Sequence, residues 1–217
     1  MELKLSKWKL KSENILVDAC VPGDITNDLH KSGVIEDPFW GLNHIKLREW
    51  LDRDYVYSTE FNVDKMPSEN EEIFISFDGI DLFSTIYLNG QLLGKTDNMF
   101  KKYVYEIGDK IRLGKNSLEV YMSSTTKFMD SLDTKDYFAV FNIPRILLRK
   151  EQCCFGWDWS PNIPGYGIWQ DVTVYTESKS RIIDVHYIAN AEGEATFFVD
   201  INYSEVFERA IESKVTA

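Results

Sequence analysis

The stretch "STIYLNGQLLG", Ser84 to Gly94, places Asn89-Gly90 between two short apolar runs. Both central residues of a tight hairpin turn need a positive φ angle, which asparagine and glycine tolerate best. The stretch therefore predicts two antiparallel strands that are joined by a two-residue turn.

Further strands are predicted on both sides of this hairpin. Upstream, "EEIFISFDGI" sets Ile73, Ile75 and Phe77 at a spacing of two residues, which is the period of a strand. Downstream, the segments "KKYVYEI", "NSLEVYMSS" and "WQDVTVYTE" have the same character and are separated by turn residues. Many short strands at such spacing predict an all-β fold, a β-sandwich or jelly roll.

Two segments interrupt the strands. Asp24 is a good helix N-cap, and Gly33 is placed to end the short helix that it would begin. Residues 125–150 form a long insertion with a possible helical turn near Met129. Long connections inside a compact sandwich are usually functional or mobile.

A new hairpin is predicted beyond Ser178, where "RIIDVHYIAN" and "ATFFVDINY" flank Glu192-Gly193. Too few residues remain for a second sandwich of about 100 residues. The hairpin therefore either packs on the first domain or begins a second domain that is cut short. We favour the second interpretation, which divides the chain into residues 1–178 and 179–217.

Composition limits the possible partners. The formal net charge is −11 and the pI is about 4.8, which disfavours binding to nucleic acid. No apolar run is long enough to span a bilayer, and the charged N-terminus does not resemble a signal peptide. The three cysteines do not form a disulfide framework. We expect a cytoplasmic protein that binds no membrane, although a leader could have been removed.

Catalytic and metal-binding motifs are not apparent. His30, His44 and His186 are scattered and lack ligand spacing, so we expect no metal and no cofactor. There is no nucleophile elbow, P-loop or dinucleotide fingerprint. Carboxylates are plentiful, but nothing singles out a catalytic pair.

The stretch "CCFGWDWSPNIPGYGIWQDV", Cys153 to Val172, places Asp158 between two indoles. Aromatic faces stack on the C–H faces of sugars, and a carboxylate accepts hydrogen bonds from hydroxyl groups. Trp157 and Trp159 on an irregular loop therefore suit a sugar subsite. The residues alone favour core packing of either indole by about two to one, because indoles bury large areas. Asp158, a charged residue between bulky apolar neighbours, would need a partner, and a structural N–H or an arginine would serve as well as a ligand.

Five blocks resemble the N-terminal domain of the β-mannosidases of glycoside hydrolase family 2: "VPGDITNDLHKSGVIEDPFWGLN", "RDYVYSTEF", "FDGIDLFSTIYLNGQLLGKTDNMFKKYVYEI", "GKNSLEVYM" and "FGWDWSPNIPGYGIWQDVTVY". They occur in order over about residues 8–178. The resemblance implies a jelly-roll, galactose-binding-like β-sandwich, followed by the first strands of an immunoglobulin-like domain. A (β/α)8 barrel that carries both catalytic glutamates would come third and is missing from this chain.

The resemblance also implies roles for three residues. Asp158 would accept hydrogen bonds from the terminal sugar, Trp157 would help to wall the pocket, and Asn98 would lie on a neighbouring loop at the same rim. No catalytic residue is expected in this chain. The family usually has glycine where this chain has Ser160, so strain or a shifted loop would follow if that position needs a positive φ.

The favoured hypothesis is a non-catalytic domain of a retaining exo-β-mannosidase, with a terminal β-mannoside and the missing barrel as its partners. On its own the chain should be inactive. The alternatives are a stand-alone carbohydrate-binding module, a structural sandwich with all its tryptophans in the core, and the same domain from a family 2 glycosidase that acts on another sugar.

Overall fold

The computed structural model describes residues 1–138 and 143–203. The segment 125–150 and the C-terminal segment therefore each include residues outside the described ranges. The strands, in chain order, are β1 (Glu2–Lys4), β2 (Trp8–Ser12), β3 (Ile15–Ala19), β4 (Tyr55–Val63), β5 (Glu71–Phe77), β6 (Ser84–Leu88), β7 (Gln91–Thr96), β8 (Tyr103–Glu106), β9 (Gly114–Met122), β10 (Phe155–Trp157), β11 (Ser160–Asn162), β12 (Val172–Ser178), β13 (Arg181–Ala189) and β14 (Ala195–Asn202).

Short helices join some of these strands. They are α1 (Ile25–Lys31), α2 (Asn43–Lys46), α3 (Arg48–Leu51), α4 (Thr125–Asp130) and a 3-10 helix at Ile143–Leu147. Within the two described ranges, none of the helices has the length and apolar character that crossing a membrane requires.

Two antiparallel sheets form the body of the protein. The larger has the strand order β3-β2-β4-β9-β6-β7, and the smaller has the order β1-β12-β5-β8. Apolar side chains from both sheets meet in one core, to which Leu10, Tyr57 and Val120 contribute from the larger sheet and Ile75 and Val174 from the smaller. This arrangement confirms the predicted all-β sandwich.

The predicted hairpin is confirmed. Strands β6 and β7 pair across Asn89-Gly90, whose φ angles are 52° and 78°. The side chain of Asn89 also reaches the neighbouring chain, because its amide nitrogen donates to the backbone oxygen of Lys110 at 2.8 Å and its amide oxygen accepts from the N–H of Ser117 at 3.0 Å. The turn therefore joins three segments of the sandwich.

The predicted helix N-cap is also confirmed. The carboxylate of Asp24 accepts from the backbone N–H of Asn27 at 3.0 Å, and Gly33 follows the helix with a φ angle of 73°. Inside the helix, Asp28 is buried and accepts from the N–H of Cys20 at 2.9 Å and from the hydroxyl of Tyr57 at 3.2 Å. Helix α1 is therefore attached to the larger sheet by a buried carboxylate.

The N-terminal strands were not predicted. In β2, Trp8, Leu10 and Ser12 are buried, and the lysines between them are exposed. A strand with one solvent-exposed face can carry lysine at every second position. The high charge of this segment therefore makes the two-residue period of a strand hard to recognise in the sequence.

The insertion supports a second, smaller core. Helix α4 confirms the helical turn near Met129, and Met129 packs with Leu82, Met99, Leu148 and Phe155. Phe155 lies in strand β10, so this small core supports the segment that contains Asp158.

The predicted C-terminal hairpin is present as β13 and β14, which pair with each other. Almost every side chain on both strands is exposed. The division into domains at residues 178 and 179 stays a prediction.

Candidate functional site

The segment that contains Asp158 is a tight hairpin and not an irregular loop. Trp157 pairs with Ser160, so Asp158 and Trp159 are the two residues of the turn. Phe155 at the base of the hairpin is buried in the small core. The hairpin therefore has an anchored base and a projecting tip.

The indoles of this hairpin are exposed. Trp157 is 42% exposed and Trp159 is 76% exposed, so the expectation that they pack in the core is wrong. Their ring centroids are 5.6 Å apart with an angle of 50° between the planes, and the guanidinium of Arg145 lies 5.8 Å from the centre of the Trp157 ring. Because the turn places them beyond the last buried residue, these side chains form an aromatic surface at the tip.

Asp158 is exposed at this tip, between the two indoles in sequence. No described residue forms a hydrogen bond or an ion pair with its carboxylate. Of the partners that the sequence allows for this carboxylate, the described residues supply neither an N–H nor an arginine, and a ligand stays a prediction. With respect to the described part of the chain, its two oxygen atoms can therefore accept hydrogen bonds from a ligand.

Ser160 lies in strand β11, and in the described residues only Glu13 and Asn89 among non-glycines have a positive φ. The strain that a positive φ would have caused at Ser160 does not arise. Serine is compatible with this hairpin because the position has ordinary extended pairing.

Asn98 lies on the loop after β7 and is half-buried. Its backbone forms a parallel bridge with Arg149, and its side-chain oxygen accepts from the N–H of Phe100 at 2.9 Å. The described contacts do not join Asn98 directly to Asp158. The structure places Asn98 beside the segment that leads into the hairpin, and its role stays a prediction.

Residues of the hairpin and of the chain just after it line two clefts. Phe155 and Asn162 line a cleft of about 390 Å³ together with His44 and Arg48. Ser160 and neighbouring residues line an open cleft of about 570 Å³, which also contains Phe39, Phe100, Asp81, Glu151 and Trp169. We refer to this second space as the large cleft.

A buried ion pair lies behind the large cleft. The ammonium group of Lys150 contacts the carboxylate of Asp81 and donates to the backbone oxygen of Gly165 at 2.7 Å. Burial raises the pKa of Asp81 to about 6, although Lys150 opposes this shift. Burial alone would lower the pKa of Lys150, but the carboxylates of Asp81 and Glu151 outweigh it and raise that pKa.

The ion pair of Asp81 and Lys150 was not predicted from the sequence. Asp81 and Lys150 are far apart along the chain, so no local spacing indicates that they meet. The only signal is the charge of Asp81 inside the apolar run "FDGIDLF".

Cys154 also lines the large cleft, and burial raises the pKa of its thiol to about 12. It is therefore a neutral thiol at ordinary pH. Among the described residues, no three His, Cys, Asp or Glu side chains are grouped so that they could hold a metal ion.

The fold agrees with what comparisons with known proteins show. Residues 8–170 match the family described as "Glycosyl hydrolase 2 galactose-binding domain-like". The chain belongs to this family, which confirms the resemblance that the five sequence blocks indicate.

Individual relatives are named as β-mannosidases. The chain is 33% identical to the β-mannosidase of Mus musculus over 77% of its length, and 28% identical to that of Rattus norvegicus over 96%. It is similar to the crystal structure of the β-D-mannosidase from Dictyoglomus thermophilum, with a TM-score of 0.81 and 34% identity over 93% of the chain. The chain spans only 20%, 25% and 26% of the lengths of these three proteins.

Proposed function

We propose that this chain is a non-catalytic sugar-binding domain of a larger retaining exo-β-mannosidase, an enzyme that removes terminal β-mannose. The observation that carries the proposal is the exposed carboxylate of Asp158 at the tip of an anchored hairpin, between two exposed indoles. The names of the relatives support the choice of sugar. The proposed setting is cytoplasmic.

The proposed roles of this chain and of the barrel follow from the chemistry of glycoside hydrolysis. Two carboxylates about 5–5.5 Å apart, on a catalytic barrel in the same polypeptide, would cleave the bond by a retaining mechanism. Asp158 would accept hydrogen bonds from hydroxyls of the terminal sugar, and Trp157 would wall the same pocket. Asn98 would lie at the rim, where its amide nitrogen donates to no described residue. Such contacts hold the sugar in position for a reaction that takes place elsewhere.

The first test uses the polypeptide that joins this chain to the proposed barrel. Asp158→Ala should lower kcat/KM for an aryl β-mannoside tenfold or more, since a hydrogen bond to a charged group contributes about 1.5–3 kcal/mol. Asp18→Ala is a matched control, because the carboxylate of Asp18 is 88% exposed on β3 and, among the residues that the structure describes, pairs with Lys9 alone. Unchanged kinetics in Asp158→Ala would remove this residue from the sugar site.

The second test uses the chain of 217 residues alone. We expect no hydrolysis of aryl β-mannosides, because the proposed catalytic groups are not part of this chain. Reproducible turnover by pure protein would refute the proposal.

A stand-alone carbohydrate-binding module is the second candidate, and the exposed pair of Trp157 and Trp159 favours it. Such a module would bind manno-oligosaccharides through this aromatic surface without help from a barrel. In the first proposal, by contrast, the sugar site is shared between this chain and the barrel. The chain alone should then bind manno-oligosaccharides at the hairpin with a Kd weaker than about 1 mM, because the barrel contributes part of the pocket. Calorimetric titration of the chain with manno-oligosaccharides distinguishes the stand-alone module from the shared site.

A further inference from the structure

The chain that follows the Asp158 hairpin is fixed to the sandwich. Tyr166 and Ile168 are fully buried. The N–H of Ile25 donates to the backbone oxygen of Tyr166 at 3.0 Å. The N–H of Gly23 donates in the same way to Ile168 at 2.9 Å. This stretch therefore gives the hairpin a fixed point of attachment on one side.

The backbone of Asp81 is joined to the same stretch. Asp81 lies in the connection between β5 and β6, and it exchanges two backbone hydrogen bonds of 2.8 Å with Gly167. A Cβ atom at Gly167 would lie 2.8 Å from the Cα of Asp24, so this close approach requires glycine. The next residue, Leu82, packs with Phe155 in the small core. The backbone of Asp81 is thus held independently of its carboxylate.

The ammonium group of Lys150 joins the two ends of the segment that contains the hairpin. It contacts the carboxylate of Asp81 and donates to the backbone oxygen of Gly165 at 2.7 Å. The side chain of Lys150 is completely buried. Because residues 150 and 165 flank the hairpin, one buried group closes the segment at its base and attaches it to the connection between β5 and β6.

Stability alone does not explain why this buried position is charged. A buried ion pair usually stabilises a fold no more than apolar side chains of similar volume would. Phe155 already anchors the base of the hairpin by apolar packing, which is not directional. Hydrogen bonds, by contrast, restrict both distance and angle. The ion pair therefore adds a defined orientation to a hairpin that the small core already holds in place.

We propose that Lys150 and Asp81 are positioning residues for the sugar site at Asp158. They orient the hairpin so that its exposed carboxylate meets the hydroxyls of the sugar. This role rests on the proposed function, because Asp158 must contact the sugar for its orientation to affect the reaction. A displacement of about 1 Å in such a contact can lower a rate by about a hundredfold.

The kinetic test uses the polypeptide that joins this chain to the proposed barrel. The double variant Lys150→Met/Asp81→Val replaces both charges by apolar groups, so it avoids an unpaired buried charge and should unfold in urea near the midpoint of the wild type. We expect its kcat/KM for an aryl β-mannoside to fall at least tenfold. Lys102→Met should leave kcat/KM unchanged, because Lys102 is 55% exposed and pairs with Asp78 at the other end of the same connection.

A second measurement needs no sugar. In NMR spectra of the isotope-labelled chain of 217 residues, the double variant should shift the indole N–H signals of Trp157 and Trp159. The indole signal of Trp8, which donates to the backbone oxygen of Leu5 at 3.0 Å in the core, should stay in place. Asp81→Asn keeps an acceptor for the ammonium group and should shift the two hairpin signals less.

The two measurements separate this proposal from the proposed function. Unmoved signals of Trp157 and Trp159 in both variants overturn it, and so does an equal shift of Trp8, which would indicate a general rearrangement. An unchanged kcat/KM in the double variant also overturns it if Asp158→Ala lowers kcat/KM. If Asp158→Ala has no kinetic effect while the hairpin signals shift, the ion pair still orients the hairpin and only the proposed function fails.

Discussion

At the scale of single residues, Asn89 combines an unusual backbone conformation with three side-chain hydrogen bonds. Its φ angle is 52°, and its amide group contacts Lys110, Asn116 and Ser117 at 2.8, 2.8 and 3.0 Å. Asparagine is suited to this position because it tolerates the left-handed region and its amide both donates and accepts.

Asn89→Ala should lower the free energy of unfolding by about 2–4 kcal/mol, because it removes these bonds and strains the backbone. Asn89→Gly should cost about 1 kcal/mol less, since glycine removes the strain but not the lost bonds. Urea denaturation of both variants measures the difference. Equal losses of unfolding free energy in the two variants would show that the positive φ angle at position 89 does not contribute to the effect of Asn89→Ala.

Asp28 makes stability depend on pH. Burial raises its pKa from the usual 3.8 to about 6. Between these two values the folded protein binds more protons than the unfolded chain, so this residue makes folding more favourable as the pH falls. Above about pH 6 the carboxylate is ionised in both states, and its contribution is constant.

We expect the stability of the wild type, relative to Asp28→Asn, to increase by about 1–2 kcal/mol between pH 7 and pH 4.5. The asparagine does not titrate and keeps an acceptor for the N–H of Cys20. The comparison also removes the contribution of Asp81, whose pKa is similarly raised and which both proteins contain. If the stabilities of the wild type and of Asp28→Asn change in parallel with pH, the pH dependence does not come from Asp28.

At the scale of elements, strands β10 and β11 present aromatic side chains that the core does not use. Trp159→Ala should change the free energy of unfolding by no more than about 0.5 kcal/mol, as for other exposed positions. Trp8→Ala is the matched comparison, because Trp8 is 3% exposed and should cost about 3–5 kcal/mol. A loss of similar size in both variants, measured by urea denaturation, would show that Trp159 is a core residue.

The elements that the sequence predicts well have local causes. The turn at Asn89-Gly90, the cap at Asp24 and the period of β5 each depend on a few neighbouring residues. Even in β5 the pattern is incomplete, because Phe74 on the other face is also buried against Tyr175. Burial on that face depends on Tyr175, which is about 100 residues further along the chain, so a local pattern does not predict it.

The candidate site is less predictable for the same reason. The residue types around Asp158 suggest a sugar contact, but the exposure of the indoles depends on how the hairpin is anchored by Phe155. The large cleft is assembled from segments near residues 26, 39, 81, 100, 151 and 169. Only the packed sandwich brings these together.

At the scale of the whole molecule, strands β13 and β14 differ from the rest of the described chain. A two-stranded hairpin is marginally stable alone, and this one exposes apolar side chains on both faces, among them Ile183, Tyr187, Ile188 and Phe197. Exposed apolar surface of this extent is typical of an interface. A separate domain for residues 179–217 stays a prediction, which removal of these residues tests.

Arg181 forms the junction between the hairpin and the sandwich. Its guanidinium lies 2.6 Å from the carboxylate of Glu72 and 3.0 Å from that of Glu177, and it lies over the ring of Phe74 at 4.9 Å. A chain that ends at Ile182 retains these contacts, and a chain that ends at Ser178 loses them.

Removal of residues 183–217 should therefore leave the free energy of unfolding of the sandwich within about 0.5 kcal/mol of its original value, because the removed strands of the described hairpin bury little against it. Removal of residues 179–217 should cost about 1 kcal/mol more, through the lost ion pairs and the contact with Phe74. Urea denaturation of the three chains measures both steps. A loss above about 2 kcal/mol in the first step would mean that the hairpin packs on the sandwich and that the chain is one domain.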